Sequence, residues 1–261
     1  MSLLEATLIH IPHSSTTVPE KFISSFLLSK EELNQELLKM TDHFVDDIFM
    51  FSDIVVHKNR SSRLVMDPER FSDDKVEPMA QKGMGFAYTK TSDGRPLRIP
   101  TQHEKLSILN DLYNPYHQDL TDKVKLLLSK QGVCLIIDAH SFPSKPLPYE
   151  IIDGKRQLQR PDVCLCYDPY HMNKDLLRKA EWYFMKQCGL SVAHNEPFSG
   201  SMVPYQFYRR EPRVISLMIE INRSLYMNEQ TGERNNQYSQ VKKWITGFYS
   251  CVLNNAQISS P

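Results

Sequence analysis

Three polar residues stand where apolar runs predict buried strands. His13 follows the run LIHIP, His140 closes the run CLIIDA, and Glu220 lies inside VISLMIEIN. Ligands of open α/β sheets bind at the carboxyl ends of the strands, so these side chains are the first candidates for chemistry. A hydrolytic metal site needs neutral nitrogen or carboxylate ligands and a nearby carboxylate that takes the proton of a water. We therefore predict that His13 and His140 bind a metal and that Glu220 is the general base.

Each of these residues also has an ordinary structural explanation. His13 could be a turn residue bonded to a nearby carbonyl, His140 a satisfied core histidine, and Glu220 the ion-pair partner of Arg223. Because two histidines close strands and a lone acid lies in a third, the metal site remains the interpretation that accounts for all three.

The segment MTDHFVDDIF offers a third ligand, either Asp42 or Asp46. These acids are four residues apart and share one face if the segment is helical. His43 could replace Asp42, and Asp46 could instead be a solvated surface acid. Asp138, two residues before His140, is a candidate for orienting a histidine. Since no cysteine lies near these positions, the nitrogen and oxygen ligands favour one divalent ion, zinc or another borderline metal.

Substrate contacts are predicted from arginines and from two polar loops. The segment NRSSRLVMDPERF is rich in arginine, and Arg63 is the preferred ligand for a substrate carboxylate, with Arg223 second. Asn195 in HNEPFSGS could lie in a wall of the site, and His117 in NPYHQDL could donate to the substrate. A surface ion-pair cluster, a tight turn and ordinary helix packing are the respective alternatives.

Composition excludes several classes of protein. The chain has 261 residues, 31 Lys+Arg against 31 Asp+Glu, and 41% hydrophobic residues. Zero net charge without segregation along the chain provides no broad attraction for nucleic acid or a membrane surface. No run approaches the roughly 18 apolar residues of a membrane span, and the start lacks the basic segment of a signal peptide, so we expect a cytoplasmic protein. The five cysteines are expected to be reduced thiols, and nothing indicates the oligomeric state.

The periodicity of the remaining sequence predicts alternating strands and helices. Strands are expected over residues 6–11, 54–57, 133–138, 163–167 and 214–221, and helices over 31–51, 101–130, 173–188 and 238–253, with a bend near Pro115. This alternation predicts an α/β fold in which a mostly parallel sheet lies between helical layers, as one domain over residues 1–261. Residues 61–100 lack periodicity, and so long a loop is usually functional or disordered.

Seven segments, in this order, resemble the N-formylglutamate amidohydrolase (deformylase) family: IPHSSTTVP, TDHFVDDIF, SRLVMDPERF, NPYHQDL, IDAHSFPS, NEPFSGS and IEINRSLYM. The resemblance implies metal-dependent hydrolysis of N-formyl-L-glutamate to formate and L-glutamate in histidine breakdown. It implies a single three-layer α/β/α domain with a mostly parallel mixed sheet, similar to the zinc carboxypeptidase-type fold. By motif, it places the metal on His13, Asp42 and His140, the base at Glu220, and the substrate carboxylates near Arg63 and Arg223.

The chain departs from the family pattern beside the segments that face the substrate. Ser15 stands where Gly is common, Glu69 where Asn is frequent, and Gly200-Ser201 where Gly-Gly is frequent. The partner is therefore expected to be a small acidic N-acyl amino acid, either N-formyl-L-glutamate or another N-acyl amino acid or carboxylate-bearing peptide.

Two further classes of function conflict with the motifs. Ser14 and Ser141 are not in the G-x-S-x-G turn that a serine hydrolase uses. A binding protein that had lost catalysis would not need both histidines and the acid to be intact.

Overall fold

The structure, a computed structural model, describes residues 2–150 and 160–254. Its six strands form one sheet: β1 (Thr7–Ile11), β2 (Val55–Lys58), β3 (Cys134–Phe142), β4 (Val163–Cys166), β5 (Val192–His194) and β6 (Val214–Asn222). Their spatial order is β2-β1-β3-β6-β4-β5. Neighbouring strands are parallel except β4, which runs antiparallel to β6. The sheet is therefore mixed and mostly parallel, as predicted.

The described residues contain seven α-helices, of which the first six lie between strands and the last follows β6: α1 (Glu20–Ile23), α2 (Lys30–Met40), α3 (Val45–Ile48), α4 (Gln102–Ile108), α5 (Asn114–Gln131), α6 (Lys174–Trp182) and α7 (Tyr238–Phe248). A π-helical segment, Leu109–Tyr113, joins α4 to α5 immediately before Pro115, where the sequence predicts a bend. Helices α6 and α7 continue into the π-helical segments Tyr183–Gln187 and Tyr249–Leu253. No helix in these two described ranges has the length and apolar character needed to cross a membrane.

Helices cover both faces of the sheet, because successive strand residues point to opposite sides. One face packs against α3, α6 and α7 through buried residues such as Ile9, Ile137 and Ile219. The other packs against α5 through Leu8 and Ile136. This arrangement confirms the three-layer α/β/α fold.

The strand β3 is longer than the sequence predicts. It continues to Phe142 and is buried along its whole length, so His140 lies within it rather than after it, and Asp138 lies near its middle rather than at its end. Its register with β6 sets the Cα of His140 opposite that of Glu220. The three-residue strand β5 was not predicted, because three residues show no usable alternation.

The predicted single helix over residues 31–51 is wrong. The chain leaves the helix at Thr41, which is extended, and Phe44 takes a positive φ of 65° before α3 begins. The amide of Asp42 donates to the carbonyl of His13 at 3.0 Å instead of to a helical carbonyl. Asp42 and Asp46 therefore do not share a helix face.

Residues 61–100 have little regular secondary structure apart from one short 3-10 helix, Pro78–Lys82. Val65 and Tyr88 in this segment are buried in apolar clusters. The buried Arg98 donates to the carbonyls of both residues, at 2.8 and 2.9 Å. The segment is thus packed against the domain and can hold side chains in fixed positions.

Candidate active site

Three predicted ligands meet at the carboxyl ends of β1 and β3. His13 follows β1, His140 projects from β3, and Asp42 lies in the turn between α2 and α3. Oδ2 of Asp42 is 3.3 Å from Nδ1 of His140 and 3.9 Å from Nδ1 of His13. One ligand atom from each residue lies within 4.8 Å of the others, and all three residues are buried. These separations suit atoms that each bind one small ion at about 2.0–2.2 Å.

The unpaired atoms of this group face one another. His13 Nδ1 and Asp42 Oδ2 are buried and have no hydrogen-bond partner among the described residues, and the same holds for Glu220 Oε2. Unpaired buried polar atoms cost free energy, so three of them at one place need an explanation. A divalent ion satisfies the nitrogen and oxygen donors, and the residues therefore fit a metal site.

Each histidine directs its other nitrogen at a carboxylate. Nε2 of His13 donates to Asp67 Oδ1 at 2.8 Å, and Nε2 of His140 donates to Asp138 Oδ1 at 3.1 Å. This arrangement leaves both Nδ1 atoms available as lone-pair donors, as metal-binding imidazoles require. Asp138 thus occupies the orienting position that the sequence suggested for it.

The orienting carboxylates are themselves held by buried partners. Asp67 accepts from Arg63 Nη2 at 2.9 Å and from the hydroxyl of Tyr88 at 2.8 Å. Asp138 accepts from Nδ1 of His10 at 2.7 Å, and Tyr116 donates to the far nitrogen of that ring at 2.6 Å. The two imidazoles are therefore fixed through two layers of hydrogen bonds.

The roles of four residues were not predicted from the sequence: Asp67, Tyr88, His10 and Tyr116. The available signal for Asp67 was its position at the end of the apolar run LVM, between arginines. For His10 it was the alternation of β1, which sets Leu8 and His10 on the face that carries Asp138.

Glu69 creates two further groupings of possible ligand atoms. It combines with His13 and Asp67, and separately with His10 and Asp138, within the same 4.8 Å limit. The nitrogen of His13 nearest Glu69 is already bonded to Asp67, and both nitrogens of His10 are bonded. The group of His13, Asp42 and His140 fits an ion better, because its free atoms point at each other.

Burial and the neighbouring charges have opposing effects on the pKa values of the residues in this centre. Burial opposes ionisation of Asp42, but the nearby His140 ring and the charge of Arg223 outweigh it and lower the pKa of Asp42. Burial lowers the pKa of His13, whereas the charges of Glu69 and Asp138 overcome burial and raise the pKa of His140. A metal ion must therefore displace a proton from His140.

Glu220 is a buried carboxyl with an unusual pKa. Burial raises its pKa to about 8, and the negative charge of Asp42 adds to the effect. It lies on the same face of the sheet as His140 and lines the same cleft. A carboxyl in this setting can exchange protons near neutral pH.

The predicted substrate residues lie in different environments. Arg63 lines the cleft, and its Nε has no hydrogen-bond partner among the described residues. Arg223 also lines the cleft, but it donates to Asp42 Oδ1 at 2.7 Å, to the carbonyl of Lys39 at 2.6 Å and to Ser141 Oγ at 3.1 Å. Its observed contacts fix Asp42, a role that the sequence did not suggest.

His117 also lines the cleft, and burial lowers its pKa to about 4. Asn195 is not one of the residues that line the cleft. Its Oδ1 accepts hydrogen bonds from the amides of Tyr167 at 2.9 Å and Gly200 at 3.3 Å. Asn195 therefore fixes the loop of Gly200, which lines the cleft.

Asp46 and His43 lie outside the cluster. Asp46 forms a partly exposed ion pair with Lys58. His43 belongs to none of the ligand groupings found among the described residues. Of Asp42 and Asp46, it is therefore Asp42 that the fold brings to the two histidines.

The cluster lies in a cleft of about 1470 Å³. Its walls come from residues 68–79, from residues 197–208 and from the ends of β3 and β6. A small polar centre at the base of a large cleft is the usual arrangement of a small-molecule site.

Comparison with known proteins gives consistent matches. Residues 6–227 match the profile of a family described as N-formylglutamate amidohydrolase. The N-formylglutamate deformylase of Pseudomonas aeruginosa is 29% identical over 175 residues, 65% of this chain and 63% of that protein. The N-formylglutamate deformylase of Pseudomonas putida is 27% identical over 174 residues, 64% of this chain and 62% of that protein. The match thus spans less than two thirds of either relative.

Two solved structures share the fold. The crystal structure of N-formylglutamate amidohydrolase from Ralstonia eutropha JMP134 superposes with a TM-score of 0.80 at 24% identity, covering 94% of this chain and 91% of that one. A gene product of Agrobacterium tumefaciens gives a TM-score of 0.59 at 18% identity, covering 94% and 90%.

Proposed function

Because this chain belongs to the N-formylglutamate amidohydrolase family, we propose that it hydrolyses the amide of an N-acyl amino acid, with N-formyl-L-glutamate as substrate and formate and L-glutamate as products. The convergence of unpaired ligand atoms from His13 and Asp42 on His140, beside Glu220, carries this proposal. The names of the two Pseudomonas relatives support the same substrate.

We place one divalent ion, zinc, on Nδ1 of His13, Oδ2 of Asp42 and Nδ1 of His140. Two nitrogens and one carboxylate oxygen form a donor set that zinc accepts in hydrolytic sites. When bound, the ion would supply Lewis acidity that polarises the amide carbonyl and lowers the pKa of a water.

Glu220 has the role of general base and then general acid. Its Oε2 accepts the proton of the attacking water and later returns it to the leaving nitrogen of the amino acid. Without a cation, burial would keep much of this carboxyl protonated at pH 7, because its pKa is about 8. A positive charge beside it lowers the pKa and makes it available as a base.

Arg63 is the proposed ligand for a substrate carboxylate. Its bond to Asp67 fixes the guanidinium, Arg63 lines the cleft, and its buried Nε has no hydrogen-bond partner among the described residues. Arg223 borders the same cleft, and a contact with substrate would be additional to the groups that it already binds. His117 could donate to the substrate from α5, and Asn195 would act through the loop that it fixes.

We further propose that residues 1–261 act as one domain in the cytoplasm, with a small acidic molecule rather than nucleic acid or a membrane as partner. The balanced charge of 31 basic and 31 acidic residues supports this choice of partner. The thiols of Cys134 and Cys188, which form no disulfide, support a reducing compartment.

The test of the proposed function is formate release by purified, zinc-supplied protein. N-formyl-L-glutamate is compared with N-formyl-L-norvaline, which lacks the side-chain carboxylate. We expect kcat/KM to favour the glutamate derivative by about 10²-fold, since the norvaline derivative offers Arg63 no side-chain carboxylate to bind. No formate from either compound, or equal rates on both, would contradict the proposal.

A further inference from the structure

The cleft is larger than N-formylglutamate requires. Its volume is about 1470 Å³, whereas pockets of about 300–1,000 Å³ already enclose drug-sized ligands. A formyl group is the smallest acyl group, so a substrate with this group would leave most of the cleft unfilled.

The exposure of the side chains changes along the lining of the cleft. At its base, His13, Asp42 and Glu220 are at most 6% exposed, and the side chain of Arg63 is 13% exposed. Toward the opening, the lining residues Phe71, Val76 and Tyr205 are 58%, 61% and 78% exposed. The charged centre is therefore buried, whereas the large apolar side chains of Phe71, Val76 and Tyr205 lie among exposed polar residues of the lining such as Asp73 and Gln206.

The segment that presents Phe71 is held in place by hydrogen bonds. The amide of Phe71 donates to Glu77 at 2.9 Å, and the hydroxyl of Tyr113 donates to the carbonyl of Arg70 at 2.8 Å.

The segment that presents Tyr205 is held in the same way. The hydroxyl of Tyr208 and Nε of Arg209 both donate to Asp168 Oδ2, at 2.8 and 3.0 Å. Arg210 also faces the ring of Tyr205 at 5.5 Å. Hydrogen bonds thus hold the two segments that present Phe71 and Tyr205 at the cleft.

We infer that the open end of this cleft is a subsite for an apolar acyl group larger than formyl. The inference rests on the proposed function and names its substrate class: N-acyl amino acids with a free carboxylate and a hydrocarbon acyl chain. With a carboxylate held by Arg63 at the base of the cleft and the amide beside Glu220, the acyl substituent is the part of the substrate that extends outward. There it meets Phe71, Val76 and Tyr205.

An acyl-length series tests this inference with one common product. Glutamate release is measured for N-formyl-, N-acetyl-, N-butyryl- and N-hexanoyl-L-glutamate with zinc-supplied protein. We expect kcat/KM to rise by up to about fourfold for each CH₂ that enters the subsite. The opposite trend, in which kcat/KM is highest for the formyl compound and falls steadily as the acyl chain lengthens, would overturn the inference and leave the proposed function standing.

A different result would support the acyl subsite while contradicting the proposed substrate. Release from the butyryl and hexanoyl compounds without release from the formyl compound would support the subsite and contradict N-formyl-L-glutamate as substrate. No release from any member would overturn both.

Variants test whether the named side chains form the subsite. Phe71→Ala and Tyr205→Ala should lower the ratio of kcat/KM for the hexanoyl over the formyl compound by about tenfold. Trp182→Ala is the matched control, because Trp182 is an exposed aromatic residue on α6 outside this cleft. The ratio should stay unchanged in the control; equal ratios in all three variants and the parent protein would overturn the assignment.

Discussion

His13 and His140 have the same arrangement of contacts, although one follows a strand and the other lies within one. Nε2 of each ring donates to a buried carboxylate, Asp67 or Asp138, and Nδ1 faces the Oδ2 of Asp42. The carboxylates select the tautomer that exposes a lone pair to the centre. Arg223 keeps Asp42 ionised, so the centre has one fixed negative charge. At the scale of single residues, the site is therefore prepared for a cation.

Glu220→Gln tests the proton-transfer role of the carboxyl. Gln has nearly the same shape but cannot accept the proton of a water, so kcat should fall by about 10²-fold or more. Zinc content should remain near that of the parent protein, because Glu220 is not one of the proposed ligands. Steady-state kinetics and elemental analysis of one preparation measure both quantities; an unchanged kcat would remove Glu220 from this role.

Arg63→Lys tests carboxylate recognition while keeping the positive charge. Lysine lacks the planar pair of N–H donors, so KM for N-formyl-L-glutamate should rise by about tenfold with a smaller change in kcat. Arg95→Lys is a matched control at an exposed position, and its KM should equal that of the parent protein. A KM that does not respond to Arg63→Lys would show that the carboxylate binds elsewhere.

The sheet explains why residues far apart in sequence meet. Asp138 and His140 are two residues apart on β3 and share a face, and the parallel register brings Glu220 of β6 beside His140. The same face of β1 supplies His10. The core strands thus present their polar residues to one side, toward α5.

His57 on β2 lies on the same face of the sheet, and its titration makes the stability of the fold depend on pH. Burial, followed by the charges of His10 and Lys123, lowers the pKa of His57 to about 3, from an ordinary value of 6.5. As pH falls below 6.5, the unfolded chain takes up a proton that the folded chain does not, so stability decreases with falling pH. His57→Gln keeps a donor for Asp119, which His57 contacts at 2.9 Å.

The free energy of unfolding of the parent protein should therefore fall more steeply than that of His57→Gln, by about 2 kcal/mol between pH 6.5 and 4.5. Urea unfolding at several pH values measures the two slopes. Parallel slopes would show that His57 accepts a proton in the folded state.

Sequence patterns predicted the elements whose side chains alternate or repeat regularly. The strand residues His140 and Glu220 were identified because polar residues interrupt apolar runs. The break after α2 was not predicted, because amphipathic spacing continues to residue 51 while the break depends on a hydrogen bond to the distant carbonyl of His13. Asp67 and Glu69 lie in a segment without periodicity, so only the tertiary structure shows which groups they face.

At the scale of the whole molecule, the candidate centre links β1, β3 and the turn after α2. A ligand that binds only the folded chain stabilises it by about 2.7 kcal/mol at 100 times its dissociation constant. For a domain of this size, that energy corresponds to a rise in Tm of roughly 5–10 °C. Bound zinc should therefore stabilise the entire fold and not only the cleft.

Thermal unfolding with zinc or with a chelator measures this effect. Tm should rise with zinc in the parent protein, and the rise should disappear in His140→Ala, which lacks one ligand. Lys58→Ala is the control, since it removes a surface partner of Asp46 outside the cluster and should keep the zinc-dependent rise. An equal rise in His140→Ala would place the stabilising ion elsewhere.

We propose that one metal ion at His13, Asp42 and His140 supports amide hydrolysis. The most direct measurement strips the protein with a chelator, returns zinc in graded amounts, and follows formate release from N-formyl-L-glutamate together with bound metal. If this proposal is right, activity rises in proportion to bound zinc and saturates at about one equivalent per chain. Full activity in the metal-free protein would contradict it.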